Sequence, residues 1–172
     1  MNNYLWTETF RQTYDHAVAQ YHAGNHVPTS VFTADQTAFL AGIGHSAQEL
    51  YDFAEDAVRY GEPSFADALL IASVRRDYFL VVQKGQATGK QIRIEDLPPK
   101  DAAVAGFTWL PRIIAKARAK LRGEMPSELM YGCGGDRNFL QRLNIHPADF
   151  LRHVWAAGND ESQIIEHVCR RG

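Results

Sequence analysis

Apolar residues recur every three to four positions along almost the whole chain, the spacing of amphipathic helices. Trp6, Phe10, Tyr14, Ala17 and Tyr21 form the first stripe, which Gly24 closes. Thr33-x-x-Gln36 and Ser46-x-x-Glu49 are capping boxes, in which side chains satisfy the free amides of a helix start. Ser64-x-x-Asp67 is a weaker version that opens the most apolar stretch, from about Phe65 to Val82. A second series follows. Leu110, Ile113, Ile114, Ala117 and Leu121 share one face, with Pro111 in the first turn and Gly123 at the end. Asp136 is placed to cap the next helix, His146-Pro147 opens another that Gly158 stops, and Asp160-x-x-Gln163 opens the last.

Between the two series the pattern fails. Residues 84–107 contain Lys84-Gly85, Thr88-Gly89 and Leu97-Pro98-Pro99, which break regular structure. A short strand is expected at Gln91 to Ile94, or a hairpin using Tyr78 to Gln83. The expected fold is therefore all-α, a compact bundle of about eight short helices with an irregular connector. One domain spans 1–172, with possible sub-halves 1–83 and 108–172 joined by the connector 84–107. A faint repeat supports the halves. Phe39-Leu40, Ile43, His45 and Leu50 align with Phe139-Leu140, Leu143, His146 and Leu151, and the second copy is about one turn shorter before its last helix. On that alignment the bundle holds two related three-helix halves.

The length of 172 residues suffices for one core, and 45% hydrophobic content is ordinary for a globular chain. No apolar run approaches a membrane span, so no membrane is expected. The start lacks a basic region followed by an apolar segment, and two cysteines make no disulfide framework. A reducing cytoplasm is the simplest compartment. Net charge is −2 but uneven: −5 over residues 1–60, zero over 61–107 and +3 over 108–172. Neither end implies nucleic acid. Gly42-Ile-Gly44 resembles the start of a helix-hairpin-helix DNA motif, but Ala47 comes one residue early and the surroundings are acidic.

The candidate chemistry lies in the basic part. Arg112, Lys116 and Lys120 recur at i, i+4, i+8, with Arg118 and Arg122 to one side. Downstream, Gly132-Cys133-Gly134-Gly135-Asp136-Arg137 lets the backbone approach a ligand at a helix N-terminus, where anions are favoured. The expected ligand site is Arg112, Lys116, Cys133, Gly134, Gly135, Asp136 and Arg137, for a small phosphate- or carboxylate-bearing molecule. Cys133 is the one catalytic candidate, as a nucleophile in an electropositive setting. No metal site is expected, because Asp149/His153 and His22/His26 lack further ligands at recognisable spacing. The sequence names no cofactor. The alternative readings are a structural or interaction protein acting as a homodimer, in which the basic stripe pairs with the acidic stripe of Glu49, Asp52 and Asp56, and a weakly nucleic-acid-binding protein. Arg75 and Arg76, inside the most apolar helix, need partners, for which Asp52, Glu55 or Asp56 are the expected acids.

Trp109-Leu110-Pro111-Arg112, Lys116-Ala117-Arg118-Ala119, Gly123, Cys133, Asp136 and Phe139-Leu140 resemble a bacterial domain-of-unknown-function family, number 5069 in that series. The resemblance runs from about Asp96 to the C-terminus. It implies a shared fold and a bacterial origin, and no reaction.

Overall fold

The computed structural model describes residues 3–172. Among them helices dominate, and the one sheet has two strands. The fold is all-α. The chain divides into two units, Met1–Gln86 and Ala87–Gly172.

In the N-terminal unit, α1 (Trp6–His22) is followed by the single turn α2 (Pro28–Val31), then α3 (Ala34–Gly42), α4 (Ala47–Tyr60) and α5 (Phe65–Val81). All three capping boxes form as the sequence predicts, at Thr33/Gln36, Ser46/Glu49 and Ser64/Asp67. Each satisfies two amides that would otherwise have no acceptor. α1 packs chiefly on α4, placing Phe10, Tyr14 and Ala17 against a core that includes Leu50, Phe53 and Ala54. Gly44 turns α3 into α4 with φ +77°, and a Cβ there would stand 2.6 Å from the Phe79 ring. Glycine is required twice over, by the left-handed backbone and by the ring.

Arg75 is fully buried, and its Nη1 donates to the Gln83 amide oxygen at 2.6 Å. Arg76 does not reach the acids expected from the sequence. It meets Asp77, Asn3 and the Trp6 ring. Its place on α5 turns it toward the start of α1, and a ring face supplies part of the needed polar contact.

The C-terminal unit begins inside the expected connector. No strand forms at Gln91 to Ile94; a 3-10 turn covers Ile94–Asp96. The hairpin lies later, with β1 (Ala103–Val104) antiparallel to β2 (Phe107–Thr108). Ala105 and Gly106 between them both have positive φ, as a two-residue type I′ turn requires. The sequence reading missed it because four paired residues are too few to show alternation. Ile92 N–H donates to Glu124 O and Arg112 Nη1 to Pro98 O, which fasten this segment to the helix that follows. Then come α6 (Leu110–Arg122), α7 (Gly134–Arg142), α8 (Pro147–Ala157) and α9 (Glu161–Cys169). The described helices number nine, counting the single turn α2, against about eight expected. α6 packs chiefly on α8, which also meets α7 and α9. Leu110, Ile113, Ile114, Ala117, Phe150 and Leu151 are among the buried core residues.

The two units repeat one order of helices at an offset of one hundred residues. α1 and α6 end at His22 and Arg122, α3 and α7 cover Ala34–Gly42 and Gly134–Arg142, and α4 and α8 start at Ala47 and Pro147. The buried set Phe10, Thr13, Tyr14 and Ala17 of α1 recurs as Leu110, Ile113, Ile114 and Ala117 of α6. α8 is three residues shorter than α4, so the last helix starts earlier, at Glu161 against Phe65.

Candidate functional site

The basic comb on α6 does not face solvent. Lys116 and Lys120 are each 2% exposed. A buried ammonium needs a compensating charge. Asp136, on the first turn of α7 and fully buried, supplies it by ion pairing with Lys116 Nζ. The same carboxylate accepts from Trp109 Nε1 and from the Gly132 amide, each at 2.9 Å. Three donors therefore converge on Asp136. Its expected role as the cap of α7 is not what the structure shows. Cys133 is the N-cap residue, Asp136 lies three positions inside, and its side chain turns back to Gly132.

Lys116 Nζ also lies 3.2 Å from Cys133 Sγ. Lys116, Cys133 and Asp136 are thus one cluster, as the sequence predicts for three of the seven candidates. The other two cations turn aside. Arg112 donates to Pro98 O at 2.7 Å, and Arg137 to Gly132 O at 2.7 Å. Lys116 and Lys120 are buried within the C-terminal unit.

The glycines separate into different roles. Gly132 has φ +83°, so the turn needs it. A Cβ on Gly135 would stand 2.8 Å from the Trp109 ring, so Gly135 is where the indole packs. At Gly134 a Cβ would meet only Arg137 Nη2, at 3.9 Å, and no packing demand explains that glycine. α7 also begins with no side-chain hydrogen bond at its cap. The counterpart helix α3 is closed by its Thr33/Gln36 box.

Two residues of the cluster were not in the sequence-derived set. Trp109 precedes α6 with φ +78°, a conformation that strains a non-glycine residue by roughly 1–3 kcal/mol and is held only by surrounding contacts. Here those contacts are Asp136 and Gly135. Tyr131 is buried, and its hydroxyl donates to Pro147 O at 2.7 Å. Burial, with the Asp136 charge adding to it, pushes its phenol well above the usual range. A Trp before a helix and a Tyr before a glycine loop were the only signals available, and neither has a spacing rule.

A second polar region is formed by α8, the turn before it and α9. Asn144, His146, Asp149, Arg152, His153, His167 and Arg171 line a cavity of about 310 Å³. His153 and His167 stack with ring centroids 3.9 Å apart. Asp149 and His153 are one turn apart on α8, a spacing visible in the sequence. Their meeting with α9 is not. Among the described residues no group of three or more His, Cys, Asp or Glu is placed to hold a metal ion. No helix among them is long and apolar enough to cross a membrane.

Residues 98–171 match the family described as Domain of unknown function (DUF5069). The match covers the hairpin, α6 to α9, the Lys116–Asp136 cluster and the histidine cavity. No curated protein and no solved structure matches the chain.

Proposed function

We propose that the C-terminal unit binds a small phosphate- or carboxylate-bearing ligand at the N-terminus of α7. One observation carries the reading: α7 starts without a side-chain cap beside the buried Lys116, whereas α3, its counterpart, is closed by a capping box. An uncapped helix start presents amides and the positive end of the helix dipole to an anion. Gly134 and Gly135 supply those amides, and Gly134 leaves the space beside Arg137 open. Arg137 borders that space, its Nη1 held by Gly132 O and its Nη2 beside Gly134, and Lys116 lies beneath Cys133. Asp136 holds Lys116 in place, and Arg112 fixes the neighbouring wall through Pro98. No reaction is assigned to Cys133. Its half-buried thiol and that of Cys169 are both free, which accords with a reducing bacterial cytoplasm.

The test is amide NMR during titration with inorganic phosphate. The Gly134 and Gly135 signals should move and saturate in the millimolar range or below. Cys133→Thr, which rebuilds the cap found at Thr33, should abolish that movement. Unmoved glycine amides, or identical titrations of parent and variant, would remove the proposal.

A further inference from the structure

The cavity between α8 and the C-terminal turn is separate from the α7 site. Its wall carries more positive than negative charge. Its one carboxylate, Asp149, is already engaged, accepting from Arg152 Nη1 at 2.8 Å. Arg152, Arg171 and the three histidines line the space, with Arg170 adjacent in sequence. His146 comes from the α7–α8 turn, Asp149, Arg152 and His153 from α8, and His167 from α9.

Hydrogen bonds fix the tautomers of two of the histidines. His146 Nδ1 accepts from the Ala148 amide, so its neutral ring carries hydrogen on Nε2. His153 Nε2 lies 3.2 Å from Gln163 O, and a carbonyl only accepts, so Nε2 is its protonated nitrogen. Nδ1 is then the basic atom of that ring. His167 stacks on it at 3.9 Å, too close for both rings to be charged comfortably. Burial, then the charges of His153, Arg171 and Arg170, hold the His167 imidazole below its ordinary value. Burial is the largest of these causes; the charges among them are all positive, and an anion would offset them. The volume of about 310 Å³ is at the lower end of small-molecule sites, which begin at roughly 300 Å³.

We propose that this cavity is a second anion site, for a small molecule bearing a phosphate or carboxylate group, and that binding draws one proton from solvent onto the stacked His153/His167 pair. Arg152 and Arg171 hold the anion by charge-assisted hydrogen bonds. The proton adds at an unprotonated ring nitrogen, and no bond to the ligand breaks. Binding and protonation then strengthen each other by the same factor.

Sulfate is the probe, because it stays a dianion between pH 5.5 and 8 and any proton taken up belongs to the protein. Calorimetry in buffers of different ionisation enthalpy should show uptake approaching one proton per sulfate above the histidine range. The dissociation constant should rise close to tenfold per pH unit there. The His153 and His167 ring-proton signals should titrate at higher pH with sulfate than without. His153→Gln/His167→Gln should remove the proton uptake. Arg152→Gln/Arg171→Gln, at exposed side chains, should weaken sulfate at least tenfold while leaving the circular dichroism unchanged. Inorganic phosphate and acetate, compared at one pH, distinguish the two ligand classes. Cys133→Thr closes α7 and leaves this cavity intact, so proton-linked sulfate binding in that variant supports the cavity whatever the fate of the α7 reading. Sulfate affinity independent of pH, ring signals unmoved at saturation, or unaltered binding by either double variant would each overturn the proposal.

Discussion

At the same place in the repeat, one unit of this protein closes a helix and the other leaves it open above a buried charge. Thr33 and Gln36 of α3 satisfy each other's backbone amides. The corresponding Cys133 and Asp136 of α7 do not; Asp136 turns inward to Trp109, Gly132 and Lys116. The α6 lysine also has a counterpart. At the equivalent position of α1 stands His16, whose Nε2 lies 2.9 Å from Val31 O. The N-terminal version is a local solution in which neighbouring residues meet each other's needs. The C-terminal version is non-local, placing an ammonium, a carboxylate, a thiol and an indole together from α6, its preceding turn and α7. A scaffold of this kind needs only caps and apolar stripes to stand. The extra buried charges and the strained Trp109 are what stability alone does not call for.

The contrast is broken most severely at Asp136. Asp136→Ala leaves Lys116 buried without its partner and is expected to destabilise the C-terminal unit by about 3–5 kcal/mol. Gln36→Ala removes only part of a surface capping box and should cost about 1 kcal/mol or less. Urea unfolding followed by tryptophan fluorescence measures both, with Trp109 reporting on the cluster itself. Equal losses at the two positions would mean that the buried pair is no more than a cap.

The turn after each short helix offers the next test. Gly44 and Asn144 occupy equivalent places, with φ +77° and +51°. Gly44→Ala meets both the left-handed penalty and the Phe79 ring, together about 2–4 kcal/mol. Asn144→Gly should be neutral or slightly stabilising, within about 1 kcal/mol, because only the backbone demand applies there. Thermal unfolding of both variants decides the matter.

Exchanging the caps sharpens the comparison at smaller scale. Cys133→Thr should stabilise its unit by about 0.5–2 kcal/mol, and Thr33→Cys should destabilise by a similar amount. A loss of stability in Cys133→Thr would show that the Lys116–Cys133 contact outweighs a hydroxyl cap.

The smallest effect is in acid. The His167 imidazole is held below its ordinary value, chiefly by burial. Its contribution is present above the unfolded histidine value of about 6.5 and is lost as pH falls toward the folded value. His167→Gln should therefore flatten the acid side of the stability profile below about pH 6.5. An unchanged slope in that window would locate the acid sensitivity elsewhere.

Short-range order was legible along the chain because its causes are short-range. Capping boxes act over three residues, stripes over three to four, and a glycine stop over one, so the starts of α3, α4, α5, α8 and α9 could be read directly. The loop's special character was legible too, since three glycines around a cysteine have few other readings. What the loop does was not. Asp136 looks like a helix cap in sequence because it opens an apolar run, and only the approach of α6 turns it into the partner of Lys116. Lysines at i and i+4 show in sequence only that they share a face; that Lys116 is buried against a carboxylate on another helix does not show. The meeting of His153 with His167, and of Trp109 with Gly135, depends on how helices pack across tens of residues. Alone, the sequence determined that this is an all-α chain of capped helices in two similar series. Which of its polar groups are buried, and with whom, was decided by the tertiary structure, because a charge finds its partner through space and the chain order carries no record of that distance.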